Sequence, residues 1–476
     1  MPPSPRESVV VSEEPCCEAC AARQGADASA IRRSPATGAA LPVRTVLPVL
    51  PIIRRADDRR TTFAGLLISA GFLGLALISM SASAVAGSPA VWPTIHLVLA
   101  GAAGTAVASV MPFFTAALSR VAPADRWLRI GAIAAVSCGA LAVTVGVWTG
   151  RSDLAVAGGL TYLAGLGLTA AATFLPLRAA LGRPPRLVVP AYAIALVEVT
   201  IGVTLAVSMV GGWTPVVGAW SALKPAHAWL NLFGFLSVVI AATLVHLGPT
   251  VAGSRIRERR SATLALTGLV AGAPLVALGS AGGWDPIARC GAAVELVGAS
   301  ALLAHAVGVW RDRGRWTTDA GWHAFTGGSL IAAPAWFLVA TGIAAGRVLW
   351  FGAAPVGWSV ALVWVPFVLG WAGQILIGSW THLVPAIGPG DQAAHAAQRS
   401  RLGWSGLGRV TAWNTAVALL TVGILAGSMP LAVVGGVLIA GCLVVALGLL
   451  AGSVPRGISG PLTVRSVRAA GTGQGR

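Results

Sequence analysis

The sequence predicts an all-α fold, a polytopic membrane bundle of twelve transmembrane helices. Three observations predict it. Of 476 residues, 56% are hydrophobic and only 10% are charged, where a soluble chain carries roughly a quarter charged residues. The apolar residues fall into twelve long runs, each able to cross a hydrocarbon core that needs ~20 helical residues. The basic residues fall between the runs, concentrated in every second loop. One soluble core could not hide this much apolar surface, so lipid has to cover it.

The runs span 62–87, 93–118, 128–149, 154–181, 187–211, 225–252, 261–281, 286–310, 321–345, 355–386, 408–428 and 430–452. Gly and Pro inside them suit membrane helices, where small residues allow close helix contact. The domain organisation follows: a tail over 1–60, a twelve-helix membrane domain over 61–453, and a second tail over 454–476. The first tail is polar and rich in Pro, Ala and Arg, the last is rich in Gly and Arg, and both read as disordered. The first long apolar run starts only near Phe63, so the reading contains no signal peptide.

A net charge of +17 raises the question of nucleic acid. The distribution of the charge excludes it. Arg residues sit in short clusters between apolar runs: Arg120, Arg126 and Arg129; Arg178, Arg183 and Arg186; Arg255, Arg257, Arg259 and Arg260; Arg311, Arg313 and Arg315; Arg399, Arg401 and Arg409. The opposite loops hold only Arg151, Lys224, Arg289 and Arg347. The positive-inside rule then puts both termini in the cytoplasm and the chain in the inner (plasma) membrane, with the lipid bilayer as its partner.

Cys138, Cys290 and Cys442 are isolated in or beside apolar runs and read as buried thiols acting as small hydrophobes. Cys16, Cys17 and Cys20 form CCEAC in the first tail. A single CxxC without a second pair or a nearby His is a weak metal signal. The tail reads as dispensable, with labile metal binding as the alternative.

An internal repeat carries the argument further. Residues 234–251 read GFLSVVIAATLVHLGPTV, and residues 370–387 read GWAGQILIGSWTHLVPAI. Gly234 matches Gly370, His246 matches His382, Leu247 matches Leu383 and Pro249 matches Pro385. Both His stand equally far from the next charge, Arg255 or Asp391, about 13 Å along a helix rising 1.5 Å per residue. The second run keeps only the outline, with His96 near its outer end and MPFF at 111–114 near its inner end. Runs 2, 6 and 10 are four apart, which implies three pseudo-repeated four-helix arcs. A two-fold transporter would repeat every six helices instead.

An imidazole within a bilayer needs a partner and faces the bundle interior. It can ligate heme iron or copper, or relay protons. His246 and His382 are read as metal ligands sharing one role. His227 and His323 also fit headgroup contacts, and His305 reads as interfacial. Glu198 and Glu295 lie deep in runs 5 and 8. An ionised group there costs ~2.5–3.5 kcal/mol even on lenient scales, so each is protonated or paired. They are the proton-handling candidates, with a hydrogen-bonded structural acid as the alternative. Gln374 reads as helix glue.

HAWLNLFGF…HLGP over 227–249, GW…Q…HLVP over 370–385 and the outer His of run 2 resemble the heme–copper oxidase subunit I superfamily. The resemblance is closest to its divergent members: oxidase-like proteins of the C-family and nitric oxide reductase kind, and NnrS-type heme and copper membrane proteins. It implies twelve helices in three four-helix arcs. It implies that His96 matches the run 2 ligand of a low-spin heme and His227 the region of the run 6 ligands. The chain departs from the pattern in two places. Residues 261–281 contain no His, where respiratory oxidases carry adjacent ones, and run 10 has only His382, at its inner end. The expectation is an integral membrane redox-type protein associated with heme and/or copper, working with a redox partner protein. The alternatives are a proton-coupled permease for a small solute or ion, and a scaffold subunit without a cofactor.

Overall fold

The computed structural model describes residues 50–85, 91–180, 185–257, 259–353 and 360–458. Among them every regular element is helical. Twelve helices are long and apolar enough to cross a membrane: α1 (Asp58–Ser83), α2 (Val91–Leu118), α3 (Arg126–Trp148), α4 (Ser152–Ala179), α5 (Val188–Val210), α6 (Trp220–Ala252), α7 (Arg260–Gly282), α8 (Asp285–Arg311), α9 (Ala320–Phe351), α10 (Leu362–Ile387), α11 (Gly406–Leu425) and α12 (Met429–Val454). They fit a multi-pass membrane protein and coincide one for one with the apolar runs. The Arg-rich loops all gather at one end of the bundle, called the basic end below.

The ends differ from expectation. Helix continues back to Leu50 before α1 and on to Ile458 after α12, into stretches expected to be disordered. The rest of both tails, CCEAC included, lies outside the described residues. The polar foot of α1 has a physical reason to be ordered. Asp58 forms an ion pair with Arg129 of α3. Arg129 is 1% exposed and also donates to Thr62 Oγ1 at 2.7 Å and to the Ser109 carbonyl at 3.0 Å. A buried charge is tolerated when paired and hydrogen-bonded, and this one ties α1, α2 and α3 together. The thiols correct a second expectation. Cys138 and Cys290 are exposed on the outside of the bundle rather than buried in a core, whereas Cys442 is partly buried and packs against the core.

Three helices stand inside the others. Of their most apolar stretches, 72%, 67% and 78% is buried in α2, α6 and α10, against between 22% and 56% in the rest. Each of the three contains a π-helical segment: Leu97–Ala103, Leu230–Leu236 and Val365–Gly373. A π turn fits an extra residue into the turn and is rare outside functional sites. Each segment carries a glycine without room for a side chain, because the preceding helix fills the notch. Phe72 of α1 lies on Gly101, Glu198 of α5 on Gly234, and Trp336 of α9 on Gly370.

The helices behind the inner three form hairpins, and one hairpin is built three times. Residues 146–158 (GVWTGRSDLAVAG), 279–291 (GSAGGWDPIARCG) and 423–435 (GILAGSMPLAVVG) join α3 to α4, α7 to α8 and α11 to α12. In each, a glycine in the left-handed region makes the turn: Gly150 at φ 69°, Gly283 at 67° and Gly427 at 64°. In each, the amide after it closes onto the glycine that starts the motif: Arg151 on Gly146 at 2.7 Å, Trp284 on Gly279 at 2.8 Å, Ser428 on Gly423 at 2.7 Å. Gly146, Gly279 and Gly423 press on the backbone of Ala155, Ala288 and Ala432. Only glycine lets the two backbones approach this closely. The first and second copies keep one constant spacing from the π segment through the hairpin. The third has a longer α10–α11 connection, which holds a short polar helix, Gln392–Leu402, capped by Asp391 through Ala394 N at 2.9 Å.

Candidate functional site

At the end away from the Arg-rich loops, α2 and α6 each present a histidine. The His96 ring stacks on Trp92 with centroids 3.8 Å apart, and its Nδ1 lies 2.9 Å from the Trp92 carbonyl. His227 Nδ1 lies 2.8 Å from the Gly202 carbonyl of α5. A carbonyl only accepts, so in both rings Nδ1 carries the proton, and Nε2 of the neutral imidazole keeps its lone pair. Asn231 Nδ2 sits 3.1 Å from His227 Nδ1, but with Nδ1 donating, the Asn231 amide bonds instead to the His227 carbonyl, at 2.6 Å. His96 and His227, singled out from the sequence as cofactor-binding, thus lie on neighbouring inner helices at the same end of the bundle, and the charge of His227 reaches His96.

Below them along α6 comes an aromatic layer. Phe233 packs on Trp229 at 4.3 Å, on Phe367 of α10 at 5.2 Å and on Phe337 of α9 at 6.3 Å between centroids. Trp371 of α10 stacks on Phe337 at 4.8 Å and donates to Ser237 Oγ of α6 at 3.2 Å. These rings close the centre of the bundle.

The basic half holds a cavity of about 200 Å³ between α2, α6 and α10. It runs from beside Ala103 to Thr250, which is exposed near the end of α6. Its walls are mostly apolar. Tyr192 Oη and Thr243 Oγ1, 2.7 Å apart, satisfy each other on one side. His382 lines it, with its ring stacked on Trp322 at 5.0 Å. His323 stands on the other side of Trp322, whose Nε1 donates to the Thr381 carbonyl at 2.6 Å. His246, matched to His382 by the repeat, is half-buried and is not part of the cavity wall. Pro249 and Pro385 each fall within the last turn of their helix, which ends at Ala252 or Ile387.

His305, read from the sequence as interfacial, is 2% exposed, with neither ring nitrogen hydrogen-bonded, where α6, α8 and α9 meet. Gln374 is also buried, and its amide is likewise without a partner.

Glu198 and Glu295 are 3% and 0% exposed. None of their four carboxyl oxygens has a hydrogen-bond partner, and the two groups are near enough to sense each other's charge. Nothing in the sequence pairs them, because they come from helices three apart. The hairpin motif, which occurs three times in plain sequence, is the signal that would have aligned them with their counterparts.

Among the described residues no three His, Cys, Asp or Glu side chains stand together as a metal ligand set. No protein-family model and no curated protein sequence matches the chain.

Proposed function

We propose that this chain is a membrane redox-type protein in which His96 and His227 hold a heme or copper group. The observation that carries the reading is the shared state of the two rings. In each, Nδ1–H is committed to a backbone carbonyl and Nε2 is left free, which is how ligating histidines are oriented. Imidazole nitrogen suits both copper and heme iron, so the donor set fits the group. Bound there, the group would supply one-electron transfer. The chain's part is to fix both tautomers, through Trp92 O and Gly202 O, and to keep the aromatic layer between this end and the cavity. The triplicated hairpin and the three π segments support the reading of twelve helices as three equivalent four-helix units. With the basic end cytoplasmic, the histidine pair faces the outer surface of the plasma membrane, where a redox partner protein docks.

The test is purification from membranes of cells supplied with heme and copper. We expect a Soret band or bound copper in the wild type. His96→Ala and His227→Ala each lose it, and the double variant is little worse than either. A preparation with neither signal sinks the proposal. The cavity favours a second reading, a proton-coupled permease for a small solute or ion. That reading requires proton movement in proteoliposomes when solute is added, and none under any solute tried ends it.

A further inference from the structure

The three-fold construction supplies an internal control for every residue it repeats. At the notch on the π-segment glycine, α1 places Phe72 and α9 places Trp336. Both are aromatic and need no proton. The notch of α6 holds Glu198. Counted from the hairpin alanines Ala155, Ala288 and Ala432, the same step reaches Tyr162, Glu295 and Ile439. All three are buried. The architecture therefore asks for bulk at both positions and for charge at neither. The second unit alone carries carboxyls at both: Glu198 lies on Gly234 of α6, Glu295 lies on Gly272 of α7, and Glu198 is near enough to act on the charge of Glu295.

Nothing around the pair neutralises them. On α5 the other ionisable side chain is Tyr192, bonded to Thr243 toward the basic end. On α6 they are Lys224 and His227 toward the far end and His246 toward the basic end. On α7 only Arg260 is ionisable, at its first residue. On α8 Asp285, Arg289 and Cys290 are exposed near the far end, and His305 and Arg311 lie toward the basic end. Two enclosed carboxylates without a cation repel each other and lose their hydration. The stable arrangement keeps a proton on the pair.

A polar path leads away from it in one direction. Gly202, one helical turn or about 6 Å along α5 from Glu198, accepts the His227 proton through its carbonyl. Asn231 packs against Gly202 and bonds to the His227 backbone. Gly234, under the Glu198 carboxyl, is the next turn of α6. His227, Asn231 and Glu198 thus descend in steps of about a turn from the far end toward mid-membrane.

We propose that Glu198 and Glu295 form one proton-holding site within the membrane, which exchanges its proton with the far end past Asn231. This stands whether or not His96 and His227 hold a metal. A proton leaving the pair passes to water at the far end, and the pair keeps one more negative charge until a proton returns.

Infrared spectroscopy of the purified full chain in H2O and D2O tests it. The wild type should show the carbonyl band of a buried protonated carboxyl that shifts on deuteration. Glu198→Gln and Glu295→Gln should each move that band, and the double variant should abolish it. Asn231→Leu should leave its frequency in place and slow its deuteration several-fold. Glu198→Phe, which copies the α1 notch, guards against misfolding: it should give folded protein in which the Glu295 band is moved. The site is overturned if the double variant removes no band. It is also overturned if each single variant deletes part of the band and leaves the rest unmoved, since the acids are then independent. Deuteration of Asn231→Leu at the wild-type rate overturns the path. None of these readouts depends on metal content.

Discussion

Among the described residues the bundle buries carboxyl groups in two places and treats them in opposite ways. At the foot of α1, Arg129 meets Asp58 and is further bonded to Thr62 and the Ser109 carbonyl. In the middle of the bundle, Glu198 and Glu295 meet no cation and no side-chain donor among the described residues, with only the Ala273 amide near Glu295. The first arrangement is what a structural charge looks like: the charge is paired and both terminal guanidinium nitrogens are hydrogen-bonded. The second leaves the cost of burial standing, where its counterparts in the other units use Phe72, Trp336, Tyr162 and Ile439. A charge that the fold completes belongs to the fold, and one that it leaves incomplete points to another role.

The contrast can be broken by mutation. Arg129→Met should have the largest effect, because it strands Asp58 in a buried site, a loss of about 3–5 kcal/mol for breaking one partner of a buried pair. Thermal unfolding in detergent measures it, and Asp58→Asn in the same chain should recover much of the loss. If Arg129→Met unfolds like the wild type, the pair is not structural. Glu198→Phe should go the other way. Exchanging a buried ionisable group for packed hydrophobe is neutral or gains about 1–4 kcal/mol, so the variant should melt at or above the wild-type temperature. A clear fall would mean that the carboxyl serves the fold after all.

Two smaller effects sharpen the comparison. Gly234→Ala puts a methyl group where the Glu198 carboxyl lies, and overpacking of this kind costs about 1–3 kcal/mol. Gly101→Ala, against the Phe72 ring, should cost at least as much, because a ring pinned in the core yields less than a carboxyl. Equal tolerance at both would remove the notch from the argument. Last, Gly150→Ala, Gly283→Ala and Gly427→Ala should each lose about 1–2 kcal/mol for an alanine held at positive φ. The three losses should agree with one another, as equivalent turns demand.

The number of helices, their order and the clustering of Arg at one end were legible because hydropathy and loop charge are local properties. Every apolar run became a helix. The first of the two tails was misjudged at its junction because the partner of Asp58, Arg129, is far along the chain. The burial of His305 was not legible for a related reason: its distance from Arg311 speaks to its depth, but not to α6 and α9 closing over it. The His96–His227 pair was foreshadowed only by resemblance, and its tautomers depend on the Trp92 and Gly202 carbonyls, which no side-chain pattern encodes. The match of His246 to His382 was legible in register, yet the two rings have different surroundings. The π segments could not be read from periodicity, which assumes a regular turn.

The turn glycines carry a consequence of another kind. A chain that contains the same hairpin three times has spare copies within one molecule. Two of the three notches are filled by aromatic rings, so the shape closes there without any acid. The repeated hairpin lets one position be compared across three copies in a single chain. It also implies a practical rule for engineering: a new buried group is best introduced at Phe72 or Trp336, where the second unit already demonstrates that a carboxyl fits.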